Sequence, residues 1–108
     1  MEPRLATSVL VGALLRQAQS DGGFGAVLAH GDDTAGSVLV ILLERGGNPK
    51  LYERILQTGE GYRWVCSGDS PQVPELVARR RRFDPDLWVL ELDVPFAERF
   101  AAGMNAAN

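Results

Sequence analysis

The chain has 108 residues, of which 45% are hydrophobic and 23% charged, and its formal net charge is -3. This composition is typical of one compact globular domain over residues 1–108; it excludes a disordered chain and disfavours a general affinity for nucleic acid or anionic membranes. The single cysteine, Cys66, excludes an intramolecular disulfide and a cysteine-rich zinc site, which favours a reducing compartment.

The first predicted element is an amphipathic helix over Thr7–Ser20. Its apolar residues recur at three- and four-residue steps and are Leu10, Val11, Leu14, Leu15 and Ala18. Thr7 or Ser8 is the expected N-cap, and Asp21-Gly22-Gly23 is expected to end the helix. Arg16 interrupts the apolar run too early for a signal peptide, and no stretch is long enough to span a bilayer, so we expect a cytoplasmic protein.

Four strands are predicted next, and they are Phe24–Ala29, Ser37–Glu44, Leu51–Leu56 and Tyr62–Cys66. The first two are expected to pair as a hairpin with a long loop. Val38–Leu43 has no polar alternate, which is typical of a central strand buried on both faces. Turns over 46–49 and 58–61 join the remaining strands, so the pattern predicts a four-strand meander.

The loop after the first strand holds the sole histidine of the chain beside two carboxylates, in His30, Asp32 and Asp33. An imidazole near carboxylates can serve a metal site or a general base. Three ligands on one loop specify no geometry, however, and we interpret the segment as an ordinary loop.

A second helix is predicted over Val73–Phe83. Its inward side consists of Val73, Leu76, Val77, Arg80 and Phe83. Because four consecutive residues sweep most of the way round a helix, the run Arg79–Arg82 cannot form one face. Arg80 is expected to point inward and to meet a carboxylate, while the other three arginines face solvent.

Pro85 removes Asp84 from the helical region, so the helix should end at Phe83 or Asp84 and a type I turn should follow. A metal or acid/base set of Asp84, Asp86 and Asp93 is the alternative, and we favour the turn. The candidate partner surface consists of Arg79, Arg81, Arg82, Asp84 and Asp86.

The last predicted strand, Leu87–Val94, has one fully apolar face made by Trp88, Leu90, Leu92 and Val94. The opposite face begins with Leu87 and Val89 and ends with Glu91 and Asp93. This predicts an interior strand that is covered on both faces only in its first half.

After Val94, the spacing of Phe96 and Phe100 fits a helix, and a turn followed by a short strand remains the alternative. The tail Gly103–Asn108 offers no obvious anchors and is expected to fray.

Three blocks of the chain resemble the bacterial domain of unknown function family 1491. They are Leu10–Arg16, the step Gly22-Gly23-Phe24 and, most specifically, Arg82-Phe83-Asp84-Pro85-Asp86-Leu87-Trp88-Val89. The resemblance implies one compact domain without an assigned activity, and it supplies no catalytic residue to transfer.

These patterns predict an α+β fold. Its mainly antiparallel five-stranded sheet would combine the four-strand meander with one strand after a crossover helix, and two or three helices would pack on it. The crossover would set the last strand parallel to the fourth, inside the sheet.

For function, the sequence favours a small, non-enzymatic binding or regulatory module with an unknown protein partner and a homodimer through an exposed strand edge. The runner-up is a nucleic-acid-associated accessory protein that uses the arginine run, and third is a small hydrolase or metal-dependent enzyme. We expect no cofactor, no metal and no catalytic residue.

Overall fold

The computed structural model describes residues 6–59 and 61–106, and these residues form three helices and one mixed sheet of five strands. The helices are α1 (Thr7–Ser20), α2 (Val73–Phe83) and α3 (Ala97–Ala106). The strands are β1 (Phe24–Ala29), β2 (Val38–Glu44), β3 (Gly47–Gln57), β4 (Gly61–Asp69) and β5 (Trp88–Val94). The predicted α+β class with a mainly antiparallel sheet is confirmed. Among the described residues, no helix has both the length and the apolarity to cross a bilayer.

The strand order is β1-β5-β2-β3-β4, with every pairing antiparallel except that of β5 with β2. The predicted four-strand meander is therefore wrong, because β5 inserts between β1 and β2 and leaves a meander of β2, β3 and β4. Because of this insertion, β2, the strand that is apolar on both faces, lies at the centre of the sheet. The predicted direction of β5, parallel to β4, is confirmed, since β4 and β2 both run opposite to β3.

The N-terminus of α1 is held by the loop after β1 and not by a side-chain cap. Ala6, and neither Thr7 nor Ser8, occupies the N-cap position. The backbone N–H groups of Thr7 and Ser8 donate to the carbonyls of Thr34 (3.3 Å) and Asp33 (2.9 Å). The Thr7 hydroxyl is turned inward and bonds the same loop. A tertiary contact thus satisfies the free N–H groups that a local cap would otherwise serve.

The turn between β2 and β3 is shorter than predicted. Arg45 and Gly46 alone form it, with φ of 50° and 80°, and Glu44 pairs directly with Gly47. Two successive positive φ values are the signature of a type I′ hairpin turn, which matches the twist of the strands. The turn predicted over 58–61 includes Glu60, which lies outside the described residues, but Gln57 and Gly61 pair on either side of it.

The sheet has two differently covered faces. The α1/α3 face carries the side chains at Val40 and Leu42 of β2 and at Leu90 and Leu92 of β5, together with Trp88, in one buried cluster with both helices. The α2 face is buried around Leu39, Leu51, Val73, Leu87 and Val89. On this face Glu91 and Asp93 are half-buried, so the predicted sidedness of β5 and the end of its cover are confirmed.

The segment after Val94 is helix, as the phenylalanine spacing indicates. Glu44 at the end of β2 accepts the backbone N–H of Ala97 (3.0 Å), which places a carboxylate at the N-terminus of α3. The expectation that the tail lacks anchors is wrong for residues 103–106. Met104 is buried, and Asn105 bonds the backbone of Trp64. Residues 107 and 108 lie outside the described part of the chain.

Candidate functional site

The four arginines of α2 separate into one structural residue and three surface residues. Arg80 forms an ion pair with Glu53 of β3, and both side chains are about two thirds buried, with exposed fractions of 35% and 26%. This pair confirms the inward orientation predicted for Arg80 and joins α2 to the sheet. The sequence offered no signal for Glu53, because its partner comes from an element far along the chain.

The other three arginines are exposed at the surface of α2. Arg79 is 3.9 Å from Glu75, one turn earlier, and both side chains are mostly exposed. A pair of this kind contributes little to stability. Arg81 and Arg82 are exposed, and neither forms an ion pair within the described ranges. Their charge is therefore available to a partner.

The helical spacing predicts Phe83 on the inward stripe of α2, and this prediction is wrong. Its side chain is 81% exposed. The helix ends there, since Asp84 is extended with φ of -136° and ψ of 90°, and the chain turns back before the ring can reach the sheet. Leu87, which is 2% exposed, takes the core position instead. The aspartate-proline pair after Phe83 was the available signal, because a residue in the last turn has few neighbours to pack against.

The aspartates after α2 take part in the predicted turn. Asp84 accepts the N–H of Asp86 on its side chain and the N–H of Leu87 on its carbonyl, each at 3.2 Å. Asp93 lies at the far end of β5 and accepts the N–H of Gly46 (3.0 Å). The three aspartates considered as a metal set do not converge. Across residues 6–59 and 61–106, no cluster of three or more potential metal ligands occurs.

The loop that contains the histidine also has a structural role. The Asp32 carboxylate accepts the N–H groups of Thr34 and Ala35, and its carbonyl accepts the indole N–H of Trp88 (2.8 Å). His30 lies 3.4 Å from Asp33, with both side chains about two thirds exposed, and the centre of its ring lies 4.0 Å from that of Trp88, with the two planes tilted by 43°. The arrangement anchors the loop to the buried indole.

Cavities of about 620 and 510 Å³ open on the α1/α3 face of the described residues. The larger, about 620 Å³, separates α1 from α3 above the buried Trp64, and its charged lining residues are Asp21, Arg54 and Arg99. Asp21 is bonded by the side chain of Gln17 (2.9 Å). The smaller, about 510 Å³, has Tyr52 among its lining residues. Burial raises the pKa of this phenol above its ordinary value, so the phenol is protonated at neutral pH.

The comparisons with known proteins agree with this geometry. A protein-family model described as "Protein of unknown function (DUF1491)" matches residues 5–102. The crystal structure of a DUF1491 family protein from Caulobacter crescentus CB15 is similar, with 33% identity, a TM-score of 0.80 and coverage of 90% of this chain and 94% of that one.

Two further solved structures are similar over almost their whole length. The solution structure of protein Atu0922 from A. tumefaciens has 30% identity and a TM-score of 0.76, covering 92% of this chain and 93% of its own. An NMR structure of a DUF1491 family protein from Caulobacter crescentus CB15 has 32% identity and a TM-score of 0.76, with coverages of 93% and 94%. No curated protein matches the sequence.

Proposed function

This chain belongs to the DUF1491 family of proteins of unknown function, and we propose that it is a non-enzymatic module that binds an acidic protein segment through the C-terminal end of α2. We name this region the α2 end surface. It consists of Arg79, Arg81, Arg82, Phe83, Asp84 and Asp86.

The observation that carries the proposal is the exposure of Phe83. Its ring is 81% exposed at the end of a helix and lies next to Arg81 and Arg82 in sequence. Aromatic residues and arginines are the types most enriched where partners bind tightly. Burying such a ring against a partner contributes roughly 1.5–3 kcal/mol, whereas leaving it in water stabilises nothing in the free chain.

The charge of the surface indicates what the ring would meet. Arg81 and Arg82 present guanidinium groups that suit carboxylates in a bidentate geometry. Asp84 is held in the turn by its bond to the N–H of Asp86, so its negative charge has a fixed position beside the cations. A partner segment that combines an apolar side chain with carboxylates fits this pattern, and the fixed aspartate would determine its register.

A single-stranded nucleic acid is the second candidate, because an aromatic ring beside arginines can stack a base and contact a phosphate. The observations favour it less. Phosphate binding needs cations distributed along a surface, whereas here Asp84 and Asp86 follow the arginines directly and the chain carries a net charge of -3.

We further propose that the module is cytoplasmic. Its single cysteine, Cys66, is an exposed free thiol on β4, which a reducing compartment preserves.

Photo-crosslinking in the host cell tests the proposal. Phe83→benzoylphenylalanine places a reactive ring at an exposed position with little effect on packing. The same substitution at Phe96 is a matched control, because that ring is 54% exposed and also lies near two arginines, with Arg45 and Arg99 within 5.7 Å of its centre.

We expect a protein adduct from position 83 that is absent from position 96 and is lost when Arg81 and Arg82 are both changed to Glu. Added salt should weaken the adduct in the same direction. Adducts to nucleic acid would support the second candidate, and equal adducts from both positions, or none from position 83, would overturn the proposal.

A further inference from the structure

The two outer edges of the sheet differ in how their free backbone groups are treated. At the β4 edge, the side chain of Asn105 accepts the N–H of Trp64 (2.7 Å) and donates to the carbonyl of the same residue (3.1 Å). One amide from α3 therefore occupies both backbone hydrogen-bonding groups of Trp64, at which another strand would pair. This is a direct way of blocking an edge strand against unwanted association.

The β1 edge has no comparable block in the part of the chain that the structure describes. β1 pairs with β5 on one side only and is the last strand of the sheet. Its sequence, Phe-Gly-Ala-Val-Leu-Ala, contains no charged residue and no proline, which are the usual protections of an edge. A register shift between Val27 and Ala29 is the one irregularity in its pairing with β5.

The side chains of this edge are also unusually exposed for their type. Phe24, Val27 and Leu28 are 63%, 41% and 48% exposed. They are three of the eight large apolar side chains that are exposed among the described residues, and they lie within six positions. An uncharged strand with a free edge and exposed apolar side chains is a template for the addition of another strand.

The charged residues around β1 indicate which kind of added strand the edge would bind. Asp32 and Asp33 follow the strand, and on the neighbouring strand Glu91 and Asp93 pair with Ala26 and Phe24. Arg45 shares a small surface cavity with Phe24 and Asp93. Both ends of the open edge are therefore predominantly acidic.

We propose that the β1 edge binds an extended segment of another protein as a sixth strand, and that this segment has apolar residues at its centre and basic residues at its ends. Main-chain hydrogen bonds supply the affinity of such a complex, and the acidic flanks supply its selectivity. The site is separate from the α2 end surface and does not depend on it.

A second copy of this chain fits the edge less well. Two identical strands pair antiparallel under two-fold symmetry. That arrangement brings the Phe24 end of the edge, where Asp93 lies, in one protomer to the Asp32 and Asp33 end in the other, so carboxylates oppose carboxylates. A strand with lysine or arginine at both ends replaces this repulsion with attraction.

Selection of peptides from a random library on the immobilised full-length chain tests the proposal. We expect selected peptides to alternate apolar and polar residues and to carry Lys or Arg at their ends, and we expect them to slow amide hydrogen exchange at residues 24–29. Leu28→Lys should weaken binding by about tenfold or more, because it adds charge and removes an apolar contact at the edge.

The matched control is Leu56→Lys, since Leu56 is 62% exposed and lies on β3, away from β1. It should bind the peptides as the unsubstituted chain does, and thermal unfolding of both variants establishes that they are folded. Peptides that protect the end of α2 and are lost with Phe83→Ser would report the α2 end surface and overturn the β1 proposal. Peptides with acidic ends, a failure to select any peptide, or a dimer in sedimentation that Leu28→Lys dissociates would also overturn it.

Discussion

The two faces of the sheet are covered unequally. On the α1/α3 face, the apolar residues of β5 are buried along the full length of the strand, from Trp88 to Val94, and two helices pack over them. On the α2 face, β5 is fully buried at Val89 but only half-buried at Glu91 and Asp93. The same strand therefore has a continuous core on one side and a core that ends midway on the other.

The dimensions of the elements explain this difference. A sheet of five strands is roughly 24 Å wide, because neighbouring strands lie about 4.8 Å apart, whereas one helix with its side chains covers about 10–12 Å. Two helices nearly cover a face, and a single helix leaves about half of it open. The open half of the α2 face is where Phe24 and the acidic residues of β5 lie. An ion pair, Arg80 with Glu53, supplements the smaller core beneath α2.

Among the substitutions that test the difference between the two faces, the largest loss of stability is expected at Trp88. Its side chain is 3% exposed on the α1/α3 face, and its indole N–H is bonded to the Asp32 carbonyl. Trp88→Ala should lower the free energy of unfolding by about 3–5 kcal/mol, because it leaves a large cavity and an unsatisfied carbonyl. Urea unfolding followed by circular dichroism measures the loss. A change below about 1 kcal/mol would mean that this face is not the dominant core.

A smaller loss is expected from the ion pair of the α2 face. Arg80→Ala removes the partner of Glu53, whose side chain is 26% exposed, and should cost about 1–2 kcal/mol, less than for a fully buried pair because both groups retain some solvent. A double-mutant cycle with Glu53→Gln isolates the pair energy. Arg79→Ala is the control and should cost at most about 0.5 kcal/mol, since its pair with Glu75 is exposed. Equal losses at the two positions would contradict the assigned helical phase.

Asn105 tests how α3 closes the α1/α3 face at its outer strand. Asn105→Ala removes two hydrogen bonds to the Trp64 backbone and should cost about 1 kcal/mol. Asn105→Asp keeps the acceptor and loses the donor, so its loss should be intermediate. Equilibrium unfolding measures both, and sedimentation should show association of the alanine variant through the opened β4 edge. An unchanged free energy of unfolding would mean that water satisfies the backbone N–H and carbonyl of Trp64 as well as Asn105 does.

The sequence predicted those features that depend on periodicity and on proline. The bounds of α2, the two faces of β5 and the inward position of Arg80 follow from spacing along one element. The order of the strands cannot be derived from such spacing. Alternation determines which side chains share a face, and it does not determine which strand lies beside another. The insertion of β5 between β1 and β2 was therefore missed.

The candidate surfaces show the same limit. The arginines of the α2 end surface were identified because solvent exposure follows from helical phase. Phe83 was misplaced because the apolar stripe of a helix continues in sequence beyond the point where the core beneath it ends. The block on the β4 edge had no sequence signal at all, since any asparagine can bond a backbone once the fold brings the two together.

The smallest changes in the free energy of unfolding are expected at the α2 end surface, because its side chains are exposed and no core lies beneath them. Phe83→Ser, Arg81→Ala and Arg82→Ala should each change the free energy of unfolding by no more than about 0.5 kcal/mol, because exposed side chains contribute little to the folded state. Leu87→Ala is the contrasting control. It lies four residues after Phe83 but is 2% exposed, and it should cost about 2–4 kcal/mol. Urea unfolding distinguishes the two outcomes. A loss above about 1 kcal/mol for Phe83→Ser would mean that the ring stabilises the end of α2 within the free chain, and the aromatic contact offered to a partner would then have to be found at another residue.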